Sequence, residues 1–443
     1  MTTTEHADQP ADTPAASTAK GGLIYPGMGL LFVVLICCFT AWGVAADLTT
    51  PMVAGFKAIF DMNTFQASLV QLAYFGAYFL LAIPAALINQ RFGYKAGLLS
   101  GVLLAAAGAI AFYPASKIMT YEAFLIALFA IAAGCSILET SANPYVLSLG
   151  PEETATRRLN FAQAFNPVGT NIGVLLAATL ILPKLDQPVN MANLTPAQEQ
   201  TIRAGQLGAV MGPYLGLGFV LIAIGLVIAI KKSPPIVEEF PDADMAGQSP
   251  LKILMSNKRY VYGVIAQFFN VAAQVCTWTY LIQYSQQALD GSLELGGYLL
   301  QVSLIVFLIS RFVMTWVIGR IRATKVLFVL GVLAVVLSVF AMFSPNVAGV
   351  AAVVALSFCL SLMFPTIYGV ALQGLGPATK FGAAGLVMAI VGGAIMPLIQ
   401  GYLLDATSPA ISFIVPAVCF AVVASFAVYD LRAAPNTVKE RAA

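Results

Sequence analysis

Two carboxylates sit inside the apolar stretches of this 443-residue chain, Asp47 in the first and Glu139 in the fourth. Nearly every other charge falls in a short connector or near a chain end. An ionisable side chain at membrane depth costs about 2.5–3.5 kcal/mol on insertion scales, and such groups are kept where a proton, an ion or a polar solute must cross. In the fourth stretch Glu139 and Asn143 are four residues apart and share a helical face. Pro144 removes a backbone donor beside them. The fifth stretch carries Gln163, Asn166 and Thr170 at spacings of three and four, with Pro167 next to Asn166. The seventh places Gln267, Asn270, Gln274 and Trp278 on one stripe of the 3.6-residue period. Amides both donate to and accept from hydroxyls, and an indole offers a flat apolar face to the C–H side of a sugar ring. Polar side chains also bond between membrane helices, at about 0.6 kcal/mol each. That accounts for a single amide; three such stripes point to a shared polar cavity for a polyhydroxylated ligand. Asp47 lies nearer its helix end, where a carboxylate also simply faces water. Arg311, the one basic residue well inside a span and away from its ends, is either a gating partner for an acid or a snorkelling anchor. Trp42 and Trp316 read as packing residues.

The elements that must hold these residues follow from composition. The chain is 59% hydrophobic and 9% charged, with a mean hydropathy of +0.87, against about 25% charged residues in soluble domains. About 20 apolar residues cross a bilayer as a helix. At least eleven runs meet that need and a twelfth is recoverable, giving spans at 28–55, 66–89, 96–115, 121–147, 159–182, 208–230, 259–286, 296–319, 324–343, 347–374, 381–404 and 409–430. They are too long and continuous for barrel strands, which alternate over about ten residues. The fold class expected is an all-α membrane protein of twelve helices.

Basic residues orient these helices. Counting connectors alternately, 17 Lys and Arg fall on the side of the chain ends and four (Lys57, Lys117, Lys184 and Arg203) on the other. The positive-inside rule then places both termini in the cytoplasm, and dropping a helix would scramble the alternation. Residues 231–258 are rich in charge and proline and separate six helices from six. The expected domains are a disordered tail over 1–27, a bundle over 28–230, a cytoplasmic linker over 231–258, a second bundle over 259–430 and a tail over 431–443. Two bundles around a midplane site are the architecture of alternating access. Arg91-Phe-Gly-Tyr-Lys95 after the second span is echoed by Arg320-Ile-Arg-Ala-Thr-Lys325 after the eighth. In the segment LTPAQEQ, Thr195 is placed to cap a short surface helix.

Other chemistries find no support. The six cysteines (Cys37, Cys38, Cys135, Cys276, Cys359 and Cys419) all lie in apolar spans without a CxxC pair, so they read as small packing groups and imply neither zinc nor a disulfide framework. His6, the single histidine, is in the polar leader, which carries no signal-peptide pattern. No HExxH, nucleophile–histidine arrangement or Gly-rich phosphate loop is present, so no enzyme, metal or cofactor is expected. The dispersed basic residues do not suit nucleic acid.

The run Glu139-Thr-Ser-Ala-Asn143-Pro144, then Leu149-Gly-Pro151-Glu152 and Arg158-Leu-Asn160-Phe-Ala-Gln163-Ala-Phe-Asn166, resembles the fucose–proton symporter branch of the major facilitator superfamily, which also holds glucose/galactose and N-acetylglucosamine permeases. The likeness extends through Asn63-Thr-Phe-Gln66, Phe92-Gly-Tyr94-Lys95, Ala266-Gln267-Phe268, Gln274, Trp278, Arg311-Phe312, Phe364-Pro365-Thr366 and Gly392-Gly393, over about residues 28–430. It implies a major facilitator fold of two six-helix bundles that works as a monomer. Such a protein sits in the cell inner membrane and imports a monosaccharide with protons. By resemblance, Glu139 is the proton-linked acid of helix 4, and Gln163 and Asn166 are sugar-contacting amides. Helix 1 departs from the family's Trp-x-x-x-x-Asn-x-x-Asp: in Trp42-Gly-Val-Ala-Ala-Asp47-Leu-Thr-Thr50, Asp47 replaces the asparagine and Thr50 the acid. The two positions are three apart on one face. Asp47 either substitutes for the missing group or the helix 1 proton site is gone.

The expected mechanism has a sugar (fucose, glucose, galactose, mannose or N-acetylglucosamine) held by Gln163, Asn166, Asn143, Thr50 and the amides of helix 7, with Trp278 over one ring face. Burial disfavours the charged form of a carboxyl group. Glu139 is then protonated facing outside and releases its proton to the cytoplasm, which lowers the electrostatic penalty of occlusion. Sodium symport and uncoupled diffusion are the alternatives, with a membrane sugar receptor a remote one, since no soluble output domain is attached.

Overall fold

The computed structural model describes residues 22–48, 64–181, 196–230, 249–290 and 293–433. Among these the regular structure is entirely helical, as lipid demands of backbone that cannot bond to water. Ten spans are long and apolar enough to cross a membrane. One of them, Ala73–Ile118, is two helices joined at Gly93, and Lys258–Leu289 is a further, more polar helix, which completes twelve. In chain order they are α1 (Gly29–Leu48), α2 (64–92), α3 (94–118), α4 (Tyr121–Ser148), α5 (Glu152–Ile181), α6 (Pro196–Ile230), α7 (Lys258–Leu289), α8 (Leu293–Val317), α9 (Ala323–Phe343), α10 (Val347–Ala371), α11 (Gly376–Ala406) and α12 (Ile414–Ala433). The first six and last six form two bundles. The starts of α1, α5, α7 and α11 and the ends of α4, α8, α10 and α12 share one face, called here the terminal face.

Local chemistry explains the joints. Gly93 has φ 81° and ψ 167°, a backbone open to glycine alone, and turns the chain between α2 and α3 within Arg91-Phe-Gly-Tyr-Lys95. The matching turn of the second bundle runs through Arg320 and Arg322, between α8 and α9. Small residues let helices approach closely in a membrane, where apolar burial alone gives no attraction. A Cβ added at Gly101 of α3 would lie 2.7 Å from the Leu138 backbone nitrogen of α4, and the Gly134 position of α4 is blocked in turn by the α3 backbone at Ala105. Gly43 of α1 is pressed against Asn166 and Thr170 of α5 in the same manner.

The structure alters several expectations. The sequence PAQEQ opens α6 itself, since one helix runs Pro196–Ile230 and leaves no separate surface helix among the described residues; Thr195 lies outside them. Pro250–Ser256 forms a short helix inside the segment read as linker, because proline at its first position fits a helix start. Cys37 is exposed on the bundle exterior, whereas the other five cysteines are buried. Trp316 is 58% exposed and carries the Arg320 guanidinium over its ring at 3.6 Å, so it is an outward-facing residue and not core. Thr50 and His6, the first 21 residues, the last ten and 231–248 lie outside the described residues.

Candidate substrate cavity

Between the bundles lies a cavity of about 180 Å³, smaller than the roughly 300–1,000 Å³ of drug-sized clefts and suited to a small solute. The first bundle contributes Glu139 of α4, Gln163, Asn166, Thr170 and Asn171 of α5, Trp42 of α1, and Tyr74 and Tyr78 of α2. The second contributes Gln274 and Trp278 of α7, Phe307 and Arg311 of α8 and Phe364 of α10. Polar groups therefore come mostly from the first bundle, while each bundle supplies three aromatic side chains.

Glu139 is fully buried, and neither carboxylate oxygen has a hydrogen-bond partner. The Asn143 amide one turn on acts on the carboxylate but falls short of full hydrogen-bond geometry. The phenols of Tyr78 and Tyr368 lie within electrostatic reach of it. A buried group left without partners is rare and needs an explanation; here a proton or a ligand in the cavity supplies one. Asn143 does not line the cavity itself. It accepts from the Gln163 side chain at 2.7 Å and so fixes how that amide faces the ligand space.

Proline placement shapes the walls. An α-helical N–H bonds the carbonyl four residues back, so each internal proline orphans one carbonyl. Pro144 orphans that of Thr140, and the Asn89 amide of α2 donates to it at 3.4 Å while accepting from Ser141 at 2.8 Å. Pro167 does the same to Gln163, where α5 breaks between Gln163 and Asn166. Pro365 in α10 does it to Ser361. Arg311 donates to both: Nε to Ser361 O at 2.8 Å and Nη1 to Gln163 O at 2.9 Å. Its guanidinium carbon lies 4.8 Å from the centre of the Phe307 ring. With 4% exposure, Arg311 is not a snorkelling anchor.

The residues expected at the site are thus divided. Glu139, Gln163, Asn166, Thr170, Gln274, Trp278 and Arg311 meet at one cavity. Trp278 is oriented by its indole N–H to Ser357 at 3.0 Å and Asn166 by its amide to Phe39 O at 3.3 Å. Gln267 and Asn270 do not line it; both are fully buried, without partners for either amide atom. They lie on the α7 stripe nearer the terminal face, so one stripe includes both cavity wall and closed interior. Asp47 belongs to α1 next to Ala46, which lines the cavity; its side chain, like Thr50, lies outside the described residues. Trp42, read as packing, is a wall residue whose indole donates to the Tyr78 hydroxyl at 2.6 Å, and Tyr74 donates to the same hydroxyl at 3.4 Å. Sequence reading missed Tyr74 and Tyr78, although their four-residue spacing puts them on one face. Asp430 was missed too: fully buried at the end of α12, it pairs with Arg259 at 2.6 Å and Arg322 at 3.1 Å and accepts from Thr324 at 2.8 Å.

The bundles also meet between the cavity and the terminal face. Asn160 of α5 donates to Thr366 of α10 at 3.3 Å, and Gln373 reaches Thr156 at 3.5 Å. Lys380 of α11 lies over the Tyr94 ring of α3. The cavity is therefore closed toward that face.

Comparison with known proteins agrees with this geometry. The family model described as Major Facilitator Superfamily matches residues 30–390. The L-fucose-proton symporter of Haemophilus influenzae is 40% identical over 420 residues, covering 91% of this chain and 96% of that protein. A glucose/galactose transporter of Brucella abortus is 32% identical over 437 residues, covering 96% and 98%. The crystal structure of the transporter FucP in the outward conformation superposes with a TM-score of 0.84 at 34% identity, covering 90% of this chain and 98% of that one. The chain belongs to the Major Facilitator Superfamily, a family of multi-pass membrane transporters.

Proposed function

We propose that this protein imports a monosaccharide together with protons across the cell inner membrane, with both termini in the cytoplasm. The observation that carries the reading is Glu139, buried and unpartnered in the wall of a small cavity between two bundles. Gln163, Asn166 and Gln274 supply donors and acceptors for sugar hydroxyls, and Trp278, held by Ser357, supplies a ring face. Asp47 stands in for the acid that Thr50 lacks. The domains are the two bundles over 28–230 and 259–430, with 231–258 joining them and the segments 1–27 and 431–443 as tails. The protein acts as a monomer and needs no cofactor.

The names of the relatives order the sugars: fucose first, then glucose and galactose, with mannose and N-acetylglucosamine after them. A protonated Glu139 lets the loaded cavity close without a bare charge inside it, and release to the cytoplasm restores the acid. Protonation and sugar binding thus favour the same closed state, which is what symport requires.

Proteoliposomes given each of the five sugars test the proposal by the external pH. An alkaline shift on adding one sugar names cargo and coupling together. Entry without a pH shift and with sodium dependence replaces the proton by sodium. Entry with neither favours uncoupled diffusion, which the threonine at position 50 would explain. No entry of any of the five sugars refutes the reading.

A further inference from the structure

Arg311 binds two carbonyls that belong to opposite bundles, and a proline has orphaned each of them. Pro365 withholds the donor for Ser361 O within the second bundle, and Pro167 withholds it for Gln163 O in the first. Nε and Nη1 supply the two missing donors at 2.8 and 2.9 Å. A guanidinium presents donors in a fixed planar fork, so one side chain spans both where a lysine ammonium on its flexible stem would not hold the same geometry. Beside this bridge Phe165 and Phe312 meet edge to face across the seam, with centroids 5.5 Å apart. Pro144 makes a third orphan, but it is served within the first bundle by Asn89 of α2.

We infer that Arg311 is a positioning residue for the transport cycle: its guanidinium is the tie that closes the terminal half of the seam by binding Gln163 O and Ser361 O together. The inference deepens the proposed alternation of the two bundles and rests on that part of the reading, though not on the identity of the cargo. The residue whose backbone is tied, Gln163, also presents its side-chain amide to the cavity. Opening toward the terminal face must break the Nη1 bond while leaving the Nε bond inside its own bundle. When it breaks, Gln163 O faces the widening space and can be hydrated, so the orphan carbonyl is tolerated in both states.

The test is the distance between spin labels at Phe92 and Ile321, exposed residues on the terminal face of the first and second bundle, read by pulsed electron spin resonance without any sugar. Cys37, the exposed cysteine among the described residues, is replaced by Ser in all variants. In the parent the labels report the closed face. Losing a hydrogen bond to a charged donor shifts a two-state ratio by about tenfold or more, so Arg311→Gln raises the long-distance population by that factor. Arg311→Lys does the same, because it retains the charge but not the fork. In a Pro167→Ala background the alanine N–H adds a second donor to Gln163 O, whose two lone pairs are then shared, and the effect of Arg311→Gln falls. A Pro144→Ala background leaves it at full size. Melting in detergent is measured on each variant, and a loss of fold that is equal in all backgrounds shows as a common drop. Wild-type distances in Arg311→Lys, or an Arg311→Gln effect undiminished by Pro167→Ala, would overturn the tie. Because no sugar is present, failure of the sugar–proton reading leaves this result unaffected, and failure of the tie leaves the pH-shift result unaffected.

Discussion

Gln163 donates its side-chain amide to Asn143 at 2.7 Å, so the α5 amide that faces the cavity is aimed by an α4 residue one turn from Glu139. Replacing Asn143 by Leu removes the acceptor and lets the Gln163 amide turn. One such hydrogen bond is worth about 0.5–1.5 kcal/mol net, so the apparent sugar affinity should fall about two- to twelvefold. Gln163→Ala should fall further, and the double variant no further than Gln163→Ala alone, as a concentration series of counterflow would read directly.

Glu139→Gln keeps the shape of the side chain and removes the proton site. The expected outcome is full exchange of labelled for unlabelled sugar with no accumulation against a gradient. A mutant that still concentrates sugar under an imposed pH difference would remove Glu139 from coupling. If Asp47 is the stand-in for the helix 1 acid, Asp47→Asn should impair accumulation in the same assay.

Asp430 is fully buried and paired with Arg259 and Arg322 where α7, α9 and α12 meet. Removing one partner of a buried ion pair costs about 3–5 kcal/mol, and because Arg259 and Arg322 are 24% and 28% exposed and can be hydrated, the loss of Asp430 falls at the lower end of that range. Asp430→Asn should therefore lower the detergent melting temperature markedly. Arg322→Gln should lower it less, since Arg259 still faces the carboxylate.

Gly134 is pressed against the α3 backbone at Ala105, whereas Gly76 of α2 has open space at its Cβ position. Overpacking a tight contact costs about 1–3 kcal/mol, so Gly134→Ala should destabilise by that amount. Gly76→Ala should be neutral or slightly stabilising, because alanine is the better helix former by about 1 kcal/mol. Parallel melts of the two variants give the comparison.

Much of this protein was legible along the chain because lipid imposes one-dimensional rules. Length and apolarity set the number of helices, and the 3.6-residue period placed Glu139 with Asn143 and Gln163 with Asn166. The same period grouped Gln267, Asn270, Gln274 and Trp278. Only Gln274 and Trp278 reach the cavity, because periodicity gives a face and not the depth along it. Tyr74 and Tyr78 went unread since aromatic residues in membrane spans more often pack. Asp430 went unread since a carboxylate at a helix end more often faces water.

Twelve apolar helices, the division into two halves and a family motif around Glu139 are written along the chain, because each depends on composition or local spacing. Which polar residues converge, and which orphaned carbonyl meets which donor, follows from the packing of the helices in space. Pro167 and Pro365 lie 198 positions apart, and their shared partner, Arg311, is distant from both in sequence. The meeting of the three depends on how two bundles pack against each other, and no local pattern encodes that distance.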